Sequence, residues 1–169
     1  CFDQKVTAWN LDTRRLLRTF MQNGSAVSHN GPVHAIVFTP TGDQLISGGA
    51  DKSIRLWNVK TGNLTRTFQG HTDAVYALAI SSDGKFLASG SADHTIGVWW
   101  LDKGQRLHSL VGHHNWVYTV AMSPDNKTLV SGSTDGTIKV WNLPSGEPIH
   151  SIPAHAPGAI SVAISPNGQ

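Results

Sequence analysis

Short apolar runs alternate with small polar turns along the whole chain. AVYALAI at 74–80, FLASG at 86–90, IGVWW at 96–100 and RLHSLV at 106–111 carry the apolar positions of one such stretch. β-Branched and aromatic residues recur in these runs, and Gly, Asp, Asn or Ser separates them, which is strand grammar. SSDGK reads as a hairpin turn, with Asp83-Gly84 supplying the left-handed conformation. The same order returns in VHAIVF, QLISG, IRLWN and LTRTF, and again in VYTVAM, TLVSG, IKVWN and PIHSI. No segment shows a helical apolar stripe of about ten residues or more. The pattern predicts an all-β fold built from small antiparallel meanders of four strands each.

The meanders share a phase. Trp9, Trp57, Trp99 and Trp141 are separated by 48, 42 and 42 residues. Asp3, Asp51, Asp93 and Asp135 precede them by six places, and His29, His71, His113 and His155 recur every 42. The longer first interval has one cause, six extra residues within MQNGSAVS, which reads as a loop. A period near 42 is the signature of a repeat architecture. A four-stranded sheet cannot bury both its own faces, but radial stacking against its neighbours can, and that arrangement is a propeller.

The chain resembles the WD40 repeat family. GHTDAV at 70–75, GHHNWV at 112–117, SPDN at 123–126 and the strand ends RLWN, GVWW and KVWN carry the resemblance, which covers essentially the whole chain. The uniformity of the units further resembles the highly regular repeats of bacterial and cyanobacterial members. The resemblance implies WD40-type blades, about four of them: a partial blade at 1–20, an insertion at 21–28, blades at about 29–69, 71–111 and 113–153, and a partial blade at 154–169. The first partial blade holds a third and fourth strand, and the last holds a first strand. Propellers hold about four to eight blades. The chain therefore reads as part of a longer propeller, as one of two copies completing a ring, or as a tight four-bladed monomer. It starts with Cys1, as a processed product or a piece of a longer protein would.

The resemblance also implies a hydrogen-bonded network in each blade: His29, Ser47, Asp51 and Trp57; His71, Ser89, Asp93 and Trp99; His113, Ser131, Asp135 and Trp141. Such groups are costly to bury unless each finds a partner. His155 and Asp3–Trp9 are the incomplete sets. Ser, His and Asp recurring together evoke a hydrolase triad, but three copies each tied to a Trp read as structure. There is no G-x-S-x-G elbow. No cysteine cluster or H-E-x-x-H accompanies the nine histidines, so neither a metal nor another cofactor is expected.

Composition adds limits. Thirteen Lys and Arg against eleven Asp and Glu leave a formal charge of +2, too small a surplus to argue for nucleic acid. Arg14, Arg15 and Arg18 form the one basic cluster and read as a solvated outer edge. No stretch approaches the run of about 18 apolar residues that a membrane helix needs. One cysteine and no signal-like start point to a reducing, cytoplasmic setting.

Binding residues in a propeller should break the repeat, because structural positions must obey it. Trp116 stands where the other units have Pro32, Ala74 and Gly158. His114 and Asn115 adjoin it. Tyr76 and Tyr118 match His34 and Ile160 and point to the central channel, while Lys52 and His94 vary in the connection between second and third strands. Trp100 replaces the Asn of positions 10, 58 and 142, and inter-blade packing is its expected role. In the family, the rim carrying these connections commonly receives proteins or peptides. The function this implies is a non-catalytic scaffold binding a protein or peptide. Alternatives are an enzyme or small-molecule binder with a site in the channel, and a purely structural or engineered assembly module. The channel enzyme lacks support, because Glu147 is the lone Glu and the aspartates lie mostly in turns.

Overall fold

The computed structural model describes residues 4–21, 24, 28–154 and 158–168. Asp3 and His155, and part of the expected 21–28 insertion, lie outside the described residues. Among the described residues, fourteen strands form four antiparallel sheets. A two-stranded sheet joins β1 (Thr7–Trp9) to β2 (Leu16–Thr19). The next sheet orders β3 (Val33–Phe38), β4 (Gln44–Gly49), β5 (Ile54–Asn58) and β6 (Leu64–Phe68) as a meander. Another orders β7 (Val75–Ile80), β8 (Phe86–Ser91), β9 (Thr95–Trp100) and β10 (Arg106–Val111) in the same way. The last does so with β11 (Val117–Met122), β12 (Thr128–Ser133), β13 (Thr137–Asn142) and β14 (Pro148–Pro153). Trp57, Trp99 and Trp141 sit on the third strands β5, β9 and β13 of successive sheets.

The hydrophobic core is divided among the seams. Ile46, Ile54, Leu56 and Phe68 of one sheet pack with Val75, Leu87, Trp99 and Leu101 of the next. Ile96, Val98 and Leu110 meet Val117, Leu129, Trp141 and Leu143 in the same manner. Val6 and Phe20 close on Val33, Leu45 and Trp57. Each sheet thus buries its apolar face only through a neighbour. A glycine in each second strand makes the approach close enough. A Cβ on Gly48 would stand 2.7 Å from Val75, and one on Gly90 2.8 Å from Val117.

The two ends depart from the pattern. Trp9 is 57% exposed, whereas its phase-mates are at most 1% exposed, and its indole N–H donates to Thr7 Oγ1 at 3.2 Å instead of to a second-strand serine. Residues 158–168, expected to supply a first strand, form no strand. The segment still follows the seam, since the Ala159 amide donates to Ser133 O at 2.9 Å and the Val162 amide to Thr119 Oγ1 at 3.2 Å. A strand is defined by its ladder, and among the described residues no strand pairs with this segment.

In an antiparallel meander, the turns after first and third strands share one end of the sheet. The turns after second and fourth strands share the other. The expected interaction residues lie at the second of these ends.

Candidate functional site

Three copies of one polar network underlie that rim. His71 Nδ1 lies 2.7 Å from Asp93 and Nε2 lies 2.8 Å from Ser89 Oγ, to which Trp99 Nε1–H donates at 2.8 Å. His29 lies 2.9 Å from Asp51 and 2.7 Å from Ser47, with Trp57 donating to Ser47 at 2.8 Å. His113 lies 2.9 Å from Asp135 and 2.8 Å from Ser131, with Trp141 donating to Ser131 at 2.9 Å. Proton accounting fixes the roles. An ionised carboxylate only accepts, so Nδ1 carries a proton, and in the neutral imidazole Nε2 accepts from the serine hydroxyl. The serine oxygen then takes the indole N–H.

Burial alone would push the Asp93 carboxyl up. Hydrogen bonds from His71, Thr95 and the Thr72 amide outweigh it and hold the carboxyl well below the usual aspartate range. Asp51 and Asp135 are held down against burial by the corresponding donors. Burial pushes the His113 imidazole below its ordinary value, against the pull of Asp135. The serine environment excludes hydrolase chemistry at these copies. Ser47, Ser89 and Ser131 are 0% exposed, and each Oγ is already engaged by the histidine and the indole.

On this base, the connection entering β11 is tied by backbone amides to the Asp135 and Asn115 side chains. The His114 amide donates to Asp135 and the Trp116 amide to Asn115 Oδ1, each at 2.9 Å. Trp116 remains 42% exposed. Its ring leans toward the preceding blade, 5.9 Å from Tyr76 and 6.1 Å from Tyr118. Tyr76 and Tyr118 stack at 4.6 Å and 15°. His34 extends the row, 4.8 Å from Tyr76. Its phase with Tyr76 and Tyr118 was the signal that could have placed it among the site residues. The first strands β3, β7 and β11 thus present one aromatic row. Burial raises the Tyr76 hydroxyl pKa, and Tyr118 and Asp73 add to the rise, so the phenol stays neutral.

Lys52 and His94 lie on the same rim, in the turns after β4 and β8, and among the described residues no ring contact joins His94 to the aromatic row. Their backbones are unusual. Lys52 has φ 67° and His94 φ 71°, and the matching positions Gln4 and Gly136 have 61° and 83°. The turn demands the left-handed region, which glycine enters without the steric cost that a Cβ imposes. Only one of the four positions uses glycine. Elsewhere, Arg14 and Arg15 are exposed before β2, and Arg18 lies against Gly62. Trp100 packs on Phe86 of its own sheet, with ring centroids 4.6 Å apart and planes tilted by 45°, and also faces Leu143 and Pro144 of the next. Among the described residues there is no group of three or more His, Cys, Asp or Glu that could hold a metal, and no helix is long and apolar enough to cross a membrane.

Four-stranded meanders stacked through shared cores, each pinned by a His–Asp–Ser–Trp network, define a β-propeller repeat protein. The chain belongs to the WD40 family, described as WD domain, G-beta repeat, whose profile matches residues 16–58, 62–99 and 104–142. It is similar to the nuclear distribution protein PAC1 of Coccidioides posadasii, 44% identical over 50 residues, covering 30% of this chain and 11% of that protein. It is also similar to eukaryotic translation initiation factor 3 subunit I of Neurospora crassa, 36% identical over 66 residues, covering 39% of this chain and 17% of that protein. A solved structure of U3-55K superposes with a TM-score of 0.74 at 31% identity, over 77% of this chain and 42% of that one. The matches therefore span less than a fifth of either curated relative and less than half of the solved chain.

Proposed function

We propose that the chain is a non-catalytic scaffold whose rim binds a protein or peptide through Trp116, Tyr76 and Tyr118, with His114, Asn115, Lys52 and His94 around them. One observation carries this reading: an exposed tryptophan, absent from every equivalent position, lies over a stacked tyrosine pair on a rigid base. Aromatic anchors of this kind dominate interface energetics. The networks fix the rim before a partner arrives, so little ordering entropy opposes binding. The buried serines support a non-catalytic role. The partly covered end sheets support further blades, supplied by a longer protein or a second copy, with units at about 29–69, 71–111 and 113–153. A single cysteine supports a reducing, cytoplasmic setting. Only the uniformity of the units speaks for a repeat-rich bacterial protein, and the fungal relatives above lend that origin nothing.

The test is selection of binders from a displayed peptide library, followed by titration of the recovered peptides against Trp116→Ala. Loss of a rim tryptophan should weaken them about thirtyfold or more, as expected for a hot spot of about 2 kcal/mol. The melting temperature should fall by less than about 2 °C, since the ring is part-exposed and lies outside the seam cores. Undiminished binding, or a melting temperature that falls in step with affinity, would overturn the assignment.

A further inference from the structure

The opposite rim holds a second departure from the repeat. A groove between the second and third four-stranded sheets, of about 280 Å³, is lined by Phe86, Trp100, Leu107, Asn126, Leu143 and Pro144. The preceding seam has the same groove, one period earlier. There Gln44, Thr65, Gly84, Leu101 and Asp102 stand where Phe86, Leu107, Asn126, Leu143 and Pro144 stand here. One repeat geometry is therefore compatible with a polar groove, and stacking the blades does not demand the apolar one.

The change involves paired positions. In the other units the strand-ending Asn accepts from the turn: Asn58 from the Thr61 amide at 2.8 Å, Asn142 from the Ser145 amide at 3.0 Å and Asn10 from the Thr13 amide at 2.7 Å. Trp100 forgoes that turn-stabilising bond. Lys103, at the position of Thr61 and Ser145, instead places its ammonium 4.6 Å above the Trp100 ring. Phe86 is the direct cross-strand partner of Trp100. Three substitutions in register convert a capped polar turn into an aromatic wall bearing a cation.

Charge narrows the occupant. The first groove is lined by both Asp102 and Arg66, and at those positions the second seam has Pro144 and His108. Lys85, next to Phe86, is matched by Asp83 at 3.3 Å. Among the described residues Lys103 has no carboxylate within ion-pair distance. The volume lies just under the roughly 300–1,000 Å³ of small-molecule pockets, which suits one large side chain. We propose that this groove binds an apolar side chain, aromatic for preference, presented on an acidic stretch of a partner protein, with Lys103 meeting the carboxylate. The surface lies at the opposite end of the blades from the Trp116 rim and is independent of it.

The probes are capped tripeptides, Glu-Phe-Glu, Lys-Phe-Lys and Glu-Ala-Glu, titrated against the isotope-labelled chain while the tryptophan indole signals are followed by NMR. Glu-Phe-Glu should shift the Trp100 indole saturably, with a dissociation constant of about 1 mM. Glu-Ala-Glu should bind about tenfold more weakly, because the buried ring is lost, and Lys-Phe-Lys about fivefold more weakly. Phe86→Gln with Trp100→Asn restores the residues of positions 44 and 58 and so keeps a sequence this fold already accommodates. That variant should lose every ring-dependent shift among the remaining indoles and the Leu107 and Leu143 methyls. Lys103→Thr should erase only the preference for acid, and Trp116→Ala should change nothing. No saturable shift with Glu-Phe-Glu, an equal response to Glu-Ala-Glu, or methyl shifts that survive in the double variant would overturn the proposal.

Discussion

Replacing Ser89 with alanine removes one hydroxyl and leaves two buried polar groups stranded. In the native blade the Ser89 hydroxyl donates to His71 Nε2 at 2.8 Å and accepts Trp99 Nε1–H at 2.8 Å. The serine is 0% exposed, Trp99 1% and His71 7%, so water has almost no path to either orphan. A buried group left unsatisfied costs about 1–3 kcal/mol. Two such groups, with some relaxation of the imidazole, put the loss at about 3 kcal/mol. Equilibrium urea unfolding reads it directly. With a denaturant slope of about 2 kcal/mol per molar for a chain of this size, the midpoint should fall by about 1.5 M at unchanged slope. A cycle pairing Ser89→Ala with Trp99→Phe isolates the indole bond, because the second change removes the donor. The coupling should be about 1 kcal/mol. Ser47→Ala and Ser131→Ala should behave alike, since their geometries agree within 0.1 Å at both contacts. A cost below about 0.5 kcal/mol, or a coupling of zero, would refute the view that the network, rather than apolar burial alone, pins each sheet.

Acid should unfold the chain along a definite course. Asp51, Asp93 and Asp135 are held below the ordinary aspartate value when folded, so the unfolded chain binds more protons below about pH 4. Their stabilisation is complete above that range and is lost as pH falls through it toward the folded values, at up to about 4 kcal/mol per pH unit for the three together. Urea midpoints at about pH 5, 4 and 3 measure it, and Asp93→Asn should both cost about 1–3 kcal/mol and flatten the slope; a pH-independent midpoint would count against the ionised network. His94→Gly should stabilise the chain by about 0.5–1 kcal/mol, because φ 71° suits glycine. The same change should weaken a rim-bound peptide if His94 contacts it, and a loss of stability would contradict the backbone argument.

Much of the fold was legible because its defining groups recur in phase. A tryptophan, an aspartate and a histidine repeating together allow few architectures, and β5, β9 and β13 each carry the expected tryptophan at their penultimate position. The end segment 158–168 shows where sequence pattern stops. ISVAI has strand composition, but a ladder needs a partner, and composition cannot report one that is lacking. The left-handed turn at 4, 52, 94 and 136 was hidden because three of its four residues are not glycine. The apolar groove was half visible. Trp100 stood out against Asn58 and Asn142, but its link to Phe86 emerges only from the cross-strand register that places them opposite each other.

The sequence unit and the structural unit are offset, and this decides where departures from the repeat can accumulate. Each matched stretch begins at or just before the outer strand of one sheet and ends on the third strand of the next: 62–99 contains β6 and then β7, β8 and β9. An apolar residue within one position of each outer strand's end is therefore covered by the following tryptophan. Phe20 meets Trp57 edge-on at 6.1 Å, Phe68 meets Trp99 at 5.9 Å, and Leu110 takes that place in the cluster with Trp141. Rows that serve such seams must repeat, since stability in stacked repeats is a sum of nearest-neighbour terms. Aromatic departures nonetheless gather at the seam between the second and third four-stranded sheets. Trp116 reaches back across it to Tyr76 at one end, and the Phe86–Trp100 wall faces Leu143 and Pro144 across it at the other. Between these ends, the packing cluster of Ile96, Val98, Leu110, Val117, Leu129 and Trp141 keeps the repeat's apolar pattern. A seam that conforms in its middle and diverges at both mouths is held by packing inside, and the two proposed binding surfaces sit where that packing does not dictate the residue.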